Sequence, residues 1–281
     1  MSEHAQHCFV TGAASGIGRC VVGILARRGA RVHAVDVDGD ALERARDDDA
    51  WPTERITLQV IDVRDTAALE AAFAAAEALA PVDVMMNIAG VLRPEWCTEL
   101  HASHVDLQID VNFKALVHGT RVASHAMVAR RRGHIVNVAS MAALAPIPGI
   151  SVYSATKFAA RAFSLCASLE LEAAGVAVSC VCPDAVETPM LVMQEDHDAS
   201  AITFSGGNPL RAEDVAALIC GRVLESRPRE VAIPLHRKRL AMLANFFPRL
   251  ADWLYPRMLR RGQRLRDRRL DARARSLPPS G

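Results

Sequence analysis

Seven short runs rich in valine, isoleucine and other apolar residues recur along the chain, separated by longer segments of Ala, Leu, Arg and Glu. The runs are Cys8–Val10, Arg31–Val35, Ile56–Val60, Val82–Asn87, His134–Ala139, Ala177–Val181 and Glu230–Ile233. Helical patterns fall between them, near 17–28, 40–47, 66–79, 99–131, 153–173 and 212–225. Short strands that are apolar on both faces belong inside a parallel sheet covered on both sides. Regular β-α alternation supplies the covering helices. The expected fold is therefore α/β, a doubly wound parallel sheet of about seven strands with helices on both faces.

The first run leads directly into Thr11-Gly12-Ala13-Ala14-Ser15-Gly16-Ile17-Gly18, which opens a helical pattern. In a strand–loop–helix unit Gly12 permits the tight turn, Gly16 lets the backbone approach a pyrophosphate, and Gly18 lets the helix pack close to the sheet. The free N–H groups and partial positive charge of the helix N-terminus then face the phosphates. This makes the expected sheet Rossmann-like. Asp36 ends the second run, where a carboxylate binds the adenosine ribose hydroxyls and repels a 2′-phosphate. Val37 follows it and Ser15 precedes Gly16, so no basic residue stands ready for that phosphate. NAD is expected in preference to NADP. The competing reading has Asp36 capping the next turn, a task open to Asp38 and Asp40 as well.

Ser140 lies just beyond the fifth run, and Tyr153-Ser154-Ala155-Thr156-Lys157 follows on a helical pattern. Tyr153 and Lys157, four residues apart, share a helix face. A free tyrosine has a pKa of about 10, too high for a good base at neutral pH. An ammonium beside it favours the phenolate. Ser140 can hold a substrate oxygen near the Tyr153 hydroxyl, and a cofactor would carry the redox step.

Together, Thr11–Gly18, Asn87-Ile88-Ala89-Gly90, Asn112, Ser140 and the Tyr153–Lys157 pair resemble the short-chain dehydrogenase/reductase family over roughly residues 6–235. The three residues between Gly12 and Gly16 resemble its compact, single-domain branch. The resemblance implies Tyr153 as general acid/base and Lys157 as pKa-lowering group and nicotinamide-ribose ligand. It implies that Ser140 orients the substrate and that Asn112 holds a water in a proton relay to Lys157. Ser15 and Ile17 belong to the phosphate loop. Asp62 and Val63 would lie beside the adenine, Asn87, Ala89 and Gly90 against the adenosine, and Pro183, Val186 and Thr188 near the nicotinamide carboxamide. A homodimer or homotetramer is implied, with helices 99–131 and 153–173 as contacts. Two positions depart from the family pattern: Ile88, where a second Asn is usual, and Asp184, where Gly usually follows the proline. Asp tolerates a positive φ, so Asp184 reads as a turn residue, with recognition of a polar or cationic substrate group as the other reading.

Charge divides the chain in a way the net value of +1 conceals. Residues 236–281 hold 13 Lys/Arg and 3 Asp/Glu, and the remainder holds 20 and 29. The expected organisation is a catalytic, NAD-binding domain over 1–235 and a basic, partly helical extension over 236–281. Leu240, Leu243, Phe247, Leu250, Leu254 and Met258 recur in the extension at helical spacing, with Pro248 and Pro256 expected to break or kink it. Three readings stay open: an arm capping the substrate pocket or a subunit interface, a segment lying on an anionic membrane, and a disordered basic end, the last applied to Leu277–Gly281. The acidic body argues against nucleic acid. Seven scattered cysteines match neither a disulfide framework nor a zinc site, so free thiols and no metal are expected. Met1–Val10 lacks a leader pattern, and no run reaches the roughly 20 apolar residues of a spanning helix. A cytoplasmic protein, at most peripheral to a membrane, is the expectation.

Residues 141–152 and the Pro189–Met193 stretch are apolar, and 189–210 reads as a mobile lid over the pocket. A hydrophobic secondary alcohol and its ketone are the expected substrates. The alternatives are a catalytically silent nucleotide sensor or scaffold on the same fold, and a membrane-surface reductase tethered by its tail.

Overall fold

A computed structural model describes residues 6–276. Its strands are β1 (His7–Thr11), β2 (Arg31–Asp36), β3 (Ile56–Val60), β4 (Val84–Asn87), β5 (Gly133–Val138), β6 (Val176–Pro183), β7 (Val186–Glu187), β8 (Leu210–Arg211) and β9 (Glu230–Ile233). Seven of them form one parallel sheet in the order β3-β2-β1-β4-β5-β6-β9, while β7 and β8 pair separately. The helices are α1 (Gly16–Arg27), α2 (Gly39–Asp48), α3 (Thr66–Leu79), α4 (Ala102–Ile109), α5 (Ala115–Ala129), α6 (Ser151–Glu172), α7 (Pro189–Glu195), α8 (Ala212–Leu218), α9 (Leu224–Ser226), α10 (Leu235–Phe246) and α11 (Pro248–Ser276).

Successive strand residues point to opposite faces, and β1 shows the result. Cys8 and Val10 pack in one core with Val22 and Leu25 of α1 and with Val215 and Ile219. Phe9 packs in the other with Phe73 of α3, Met85, Met127 and Ile135. Side-chain caps start two of the helices: Asp38 accepts from the Ala41 N–H at 2.9 Å before α2, and Asp65 accepts from the Ala68 N–H at 3.0 Å before α3. The cap that competed for Asp36 thus belongs to Asp38.

The acidic run Asp47–Asp49 is held in place: Asp47 and Asp48 end α2, and Asp48 and Asp49 pair with Arg19 of α1 at 3.3 and 2.7 Å. That cation offsets the unfavourable placing of carboxylates at a helix C-terminus. Residues 189–206 are helical, as α7 and the 3-10 segment Asp198–Gly206. Of the two prolines in the basic extension, Pro248 separates α10 from α11, but Pro256 sits inside α11 without ending it.

The extension folds back onto that helical segment. A Cβ on Gly262 would lie 2.0 Å from the Ala201 carbonyl oxygen, so backbone meets backbone. Arg269 pairs with Glu187 and Glu195 at 2.5 and 2.7 Å, Arg266 with Asp198 at 2.5 Å, and Arg273 with Asp196 at 3.7 Å. The basic tail thus meets an acidic rim. No helix among the described residues is long and apolar enough to cross a membrane. The disordered-end reading of Leu277–Gly281, and the Met1–Ala5 part of the leader reading, lie outside the described residues.

Glu195 is only 4% exposed, so removing Arg269 leaves a buried carboxylate with just the longer 3.8 Å contact to Arg273. Arg269→Ala should lower the unfolding free energy by about 2 kcal/mol, measured by urea titration. A change within the ±0.5 kcal/mol typical of surface sites would show the pair to be solvated.

Candidate active site

The C-terminal ends of the central strands open onto one cleft of about 650 Å³. One end is built by the glycine loop. Gly12 has φ +70, and a Cβ there would lie 2.8 Å from Ala89 Cα. On Gly18 a Cβ would lie 1.9 Å from the Gly12 carbonyl oxygen. Neither position admits a side chain, and the loop lies flat against the turn after β4. Thr11 fastens the two, its Oγ1 accepting the N–H groups of Ile88 and Ala89 at 3.1 and 3.2 Å. Thr188 closes over this loop from the other side: a Cβ on Gly16 would lie 2.8 Å from Thr188 Cγ2.

Asp36 stands at the far end of the same loop. Its Oδ2 accepts the Ala14 N–H at 2.9 Å and its Oδ1 accepts the Asp38 N–H at 3.1 Å. Asp62 and Val63 line the cleft beside it. Arg64 also lines this end, and the sequence reading did not weigh it. It grips Asp62 with contacts of 2.5 to 3.0 Å, and this hydrogen bonding holds the Asp62 carboxyl below its ordinary range.

The catalytic candidates converge in the middle of the cleft. Ser140 follows β5 and caps the turn Met141–Ala143, its Oγ accepting the Ala142 N–H at 3.1 Å. The Ser154 hydroxyl donates to the Ala142 carbonyl at 2.8 Å and locks the start of α6 against that turn. Tyr153 and Lys157 then face Ser140, both buried, with Nζ 5.6 Å from the Tyr153 ring centre. Burial pushes the Tyr153 phenol up to about 12, while a hydrogen bond with Ser140 pulls the other way. Burial also pushes the Lys157 ammonium down to about 8, and Nζ donates to the Val138 carbonyl at 3.0 Å. In this arrangement burial governs both groups and favours the neutral form of each. The lowering of Tyr153 expected from Lys157 is not what dominates.

Two site residues sit behind the cleft wall. Asn87 turns its amide inward, donating to Asn137 Oδ1 at 2.8 Å and to Thr120 Oγ1 at 3.4 Å. It braces β4 against β5, and Ile88, Ala89 and Gly90 line the cleft at its level. Asn112 lies buried in the π-helical turn Asp110–Lys114 that joins α4 to α5, and such turns frequently mark functional sites. Its side chain donates to the Val91 carbonyl and accepts the Val91 N–H, both at 2.8 Å. A Cβ on Gly90 would lie 3.3 Å from Asn112 Oδ1 and 3.5 Å from Lys157 Nζ, so the two groups flank one spot.

Beyond Tyr153 the wall is mainly apolar, with Met141, Ile147, Ile150, Met190, Leu191 and Met193. Pro183, Val186 and Thr188 line the boundary between the two halves. Leu240 and Ala244 of α10 and Leu254, Tyr255 and Met258 of α11 complete the wall. Of the readings of the basic extension, covering the cleft is thus the one this packing expresses. Asp184 does not take the positive-φ turn expected of it. It is absent from the described non-glycine residues with positive φ, and its carboxylate pairs with Arg237 of α10 at 2.9 Å. Arg237 was missed because its only sequence signal was the charge asymmetry of the tail. One cluster with metal-ligand geometry, Glu95, His101 and His104, stands outside these sites, and both imidazole Nδ1 atoms bond the same Glu95 oxygen, at 2.6 and 2.8 Å.

The seven cysteines are free, four of them buried, and Cys180 and Cys182 share a face of β6 with their sulfurs 3.8 Å apart.

Comparison with known proteins agrees with this geometry. The short chain dehydrogenase family profile matches residues 6–199. The chain is 34% identical over 220 residues to the 2,3-dihydro-2,3-dihydroxybenzoate dehydrogenase of Bacillus subtilis (strain 168), covering 72% of this chain and 81% of that protein. It is 36% identical over 226 residues to the 1-deoxy-11-beta-hydroxypentalenate dehydrogenase of Streptomyces exfoliatus, covering 78% of this chain and 80% of that one. The crystal structure of a short chain dehydrogenase/reductase from Burkholderia phymatum in complex with NAD superposes with a TM-score of 0.80 at 26% identity, covering 89% of this chain and 97% of that one.

Asn112→Ala would leave both polar groups of Val91 unpaired behind the cleft. A buried unsatisfied group costs roughly 1–3 kcal/mol, so the variant should lose about 2 kcal/mol of unfolding free energy. An unchanged denaturation midpoint would show that water replaces the amide at no cost.

Proposed function

The chain belongs to the short-chain dehydrogenase family, and on that premise we propose that it is an NAD-dependent oxidoreductase interconverting a hydrophobic secondary alcohol and its ketone. The observation that carries the reading is the shared cleft: Ser140, Tyr153 and Lys157 face an apolar chamber on one side and the Gly12–Gly18 loop with Asp36 on the other. Oxidoreductase activity follows from the family; the cofactor choice and the substrate class are our proposals.

The glycine loop fits a dinucleotide, since the positions where a Cβ would collide are those where the chain lies flattest. Gly12, Ser15, Gly16, Ile17 and Gly18 would hold the pyrophosphate, and Asp36 the adenosine ribose. Asp62, Val63, Ala89 and Gly90 would border the adenosine, and Pro183, Val186 and Thr188 the nicotinamide. When bound, NAD supplies or accepts the hydride. Asp36 disfavours a 2′-phosphate by charge, and the Arg64 guanidinium at the same end of the cleft is engaged by Asp62.

Ser140 Oγ holds the substrate oxygen at the Tyr153 hydroxyl. In reduction the phenol delivers its proton to the oxygen as negative charge develops there, and in oxidation it receives that proton. A phenol kept protonated by burial is a ready donor. The Lys157 ammonium stabilises the phenolate left behind. Asn112, which with Lys157 flanks Gly90, would hold a water between Lys157 and solvent. The exposed apolar residues Ile109 of α4 and Leu169 of α6 suit the homodimer or homotetramer contact.

Tyr153→Phe should retain NADH binding by fluorescence titration and lose at least about 100-fold in turnover across a panel of apolar ketones, within the range for removing a general acid. Wild type that binds NADH and turns over no member of the panel would favour the silent-sensor alternative. Asp36→Arg should exchange the preference for NADH over NADPH, and tighter wild-type binding of NADPH would overturn the cofactor assignment. The pH dependence follows from Lys157. Its charge is present below about 8 and is lost above it, so reductive turnover should fall as pH rises through that value.

A further inference from the structure

α10 and α11 meet at an elbow with two unlike sides. The inner side, with Leu240, Ala244, Leu254 and Met258, completes the cleft wall. The outer side carries Leu243, Phe246, Phe247 and Trp253 into solvent, with Phe246 72% and Trp253 57% exposed. Scattered single apolar residues are ordinary on a protein surface, but large ones gathered on one feature mark an interaction site.

The charges around this patch complete the pattern. Residues 239–261 contain Arg239, Arg249, Arg257, Arg260 and Arg261 against a single carboxylate, Asp252. Among the described residues none of these five arginines forms an ion pair, whereas Arg237, Lys238, Arg266, Arg269 and Arg273 of the same two helices all do. Arg257 lies over the Trp253 ring at 4.1 Å, so the cationic and aromatic groups form one surface. The tail therefore divides its charge by exposure: Arg237, Lys238, Arg266 and Arg269 are half-buried or buried and hold the fold together, while the five arginines around the elbow, like Arg264, Arg268 and Arg275 farther along α11, are exposed and form no ion pair among the described residues.

We propose that this elbow docks on an anionic phospholipid bilayer, with its aromatic side chains in the headgroup–acyl boundary and its arginines on lipid phosphates. Aromatic residues with a basic rim are the composition that lies in a membrane interface plane, and arginine engages phosphate through paired N–H groups. A second copy of the chain fits less well, because a twofold contact would bring the five arginines against their own counterparts. Docked in this way, the cleft opens beside the apolar phase, and a hydrophobic substrate enters the chamber without crossing water. The substrate clause rests on the function proposed above; the docking does not.

Flotation of the full-length protein with vesicles tests the docking without any turnover measurement. The protein should float with vesicles of phosphatidylcholine mixed with phosphatidylglycerol, float less with phosphatidylcholine alone, and detach as salt is raised. Replacing Phe246, Phe247 and Trp253 together by Ser should cut the bound fraction at least tenfold. A second variant, Arg257→Gln with Arg260→Gln and Arg261→Gln, should erase the preference for the anionic vesicles, and it decides the question if circular dichroism shows the first variant misfolded. The proposal falls if the wild type stays unbound on the mixed vesicles, or if both variants float as it does. It falls equally if the aromatic variant changes the sedimentation coefficient and wild-type vesicle binding is nil, which would make the face a contact between copies. Flotation with no turnover on any ketone would refute the dehydrogenase reading and leave the docking intact.

Discussion

Two stretches of backbone, the loop after β1 and the turn after β4, touch with nothing between them, and the active-site end of the molecule is arranged around that contact. It exists because Gly12 has no Cβ, and Gly18, also without one, lets α1 start hard against the same loop. It sets where α1 begins and so where its free N–H groups point. The turn after β4, once fixed by Thr11, presents Val91 to Asn112, and Asn112 ties the α4–α5 helices to the sheet. Gly90, in the same turn, is flanked by Asn112 and Lys157. A displacement at Gly12 would therefore pass through Ala89 and Val91 to the lysine on α6. The glycine loop and Lys157 are two ends of one packed unit.

The other organising force is electrostatic and belongs to the substrate side. Arg269 and Arg273 reach Glu195, and Arg266 reaches Asp198, so α11 clamps the helical segment that covers the apolar chamber. Arg237 does the same for Asp184 at the cofactor boundary. The excess of acid in the body and of base in the tail is thus largely a matter of matched surfaces within one chain. Because these pairs are part-buried, they are screened less by salt than exposed ones would be.

The sheet was legible because its signals are local. Strands covered on both faces read as apolar runs, and each appears within a few residues of its expected position. Ser140, Tyr153 and Lys157 were legible because their spacing on a strand end and one helix turn places them together whatever surrounds them. Asn87 was not, since its amide could face the cleft or the core, and only the presence of Thr120 and Asn137 across the sheet turns it inward. Asp184 was read from backbone habit, and its actual partner lies 53 residues away. Arg64 carried no sequence signal because its place at the cleft depends on how its side chain turns onto Asp62. For Asn87 and Asp184 what was missing was a long-range partner. The helical state of 189–206 belongs with these, since its acids and apolar residues are satisfied by α11 and not by their own neighbours.

That dependence on α11 has a consequence for how the molecule comes into being. During synthesis the ribosome releases all seven strands of the main sheet before α11 exists, and domains assemble as their chain emerges. The nucleotide half can reach its final packing early. The substrate chamber at that moment lacks a wall and a clamp, with Met190, Leu191 and Met193 awaiting the helix that will cover them. The apolar chamber thus closes later in synthesis than the glycine-loop half, and until α11 emerges one flank of the cleft stands open.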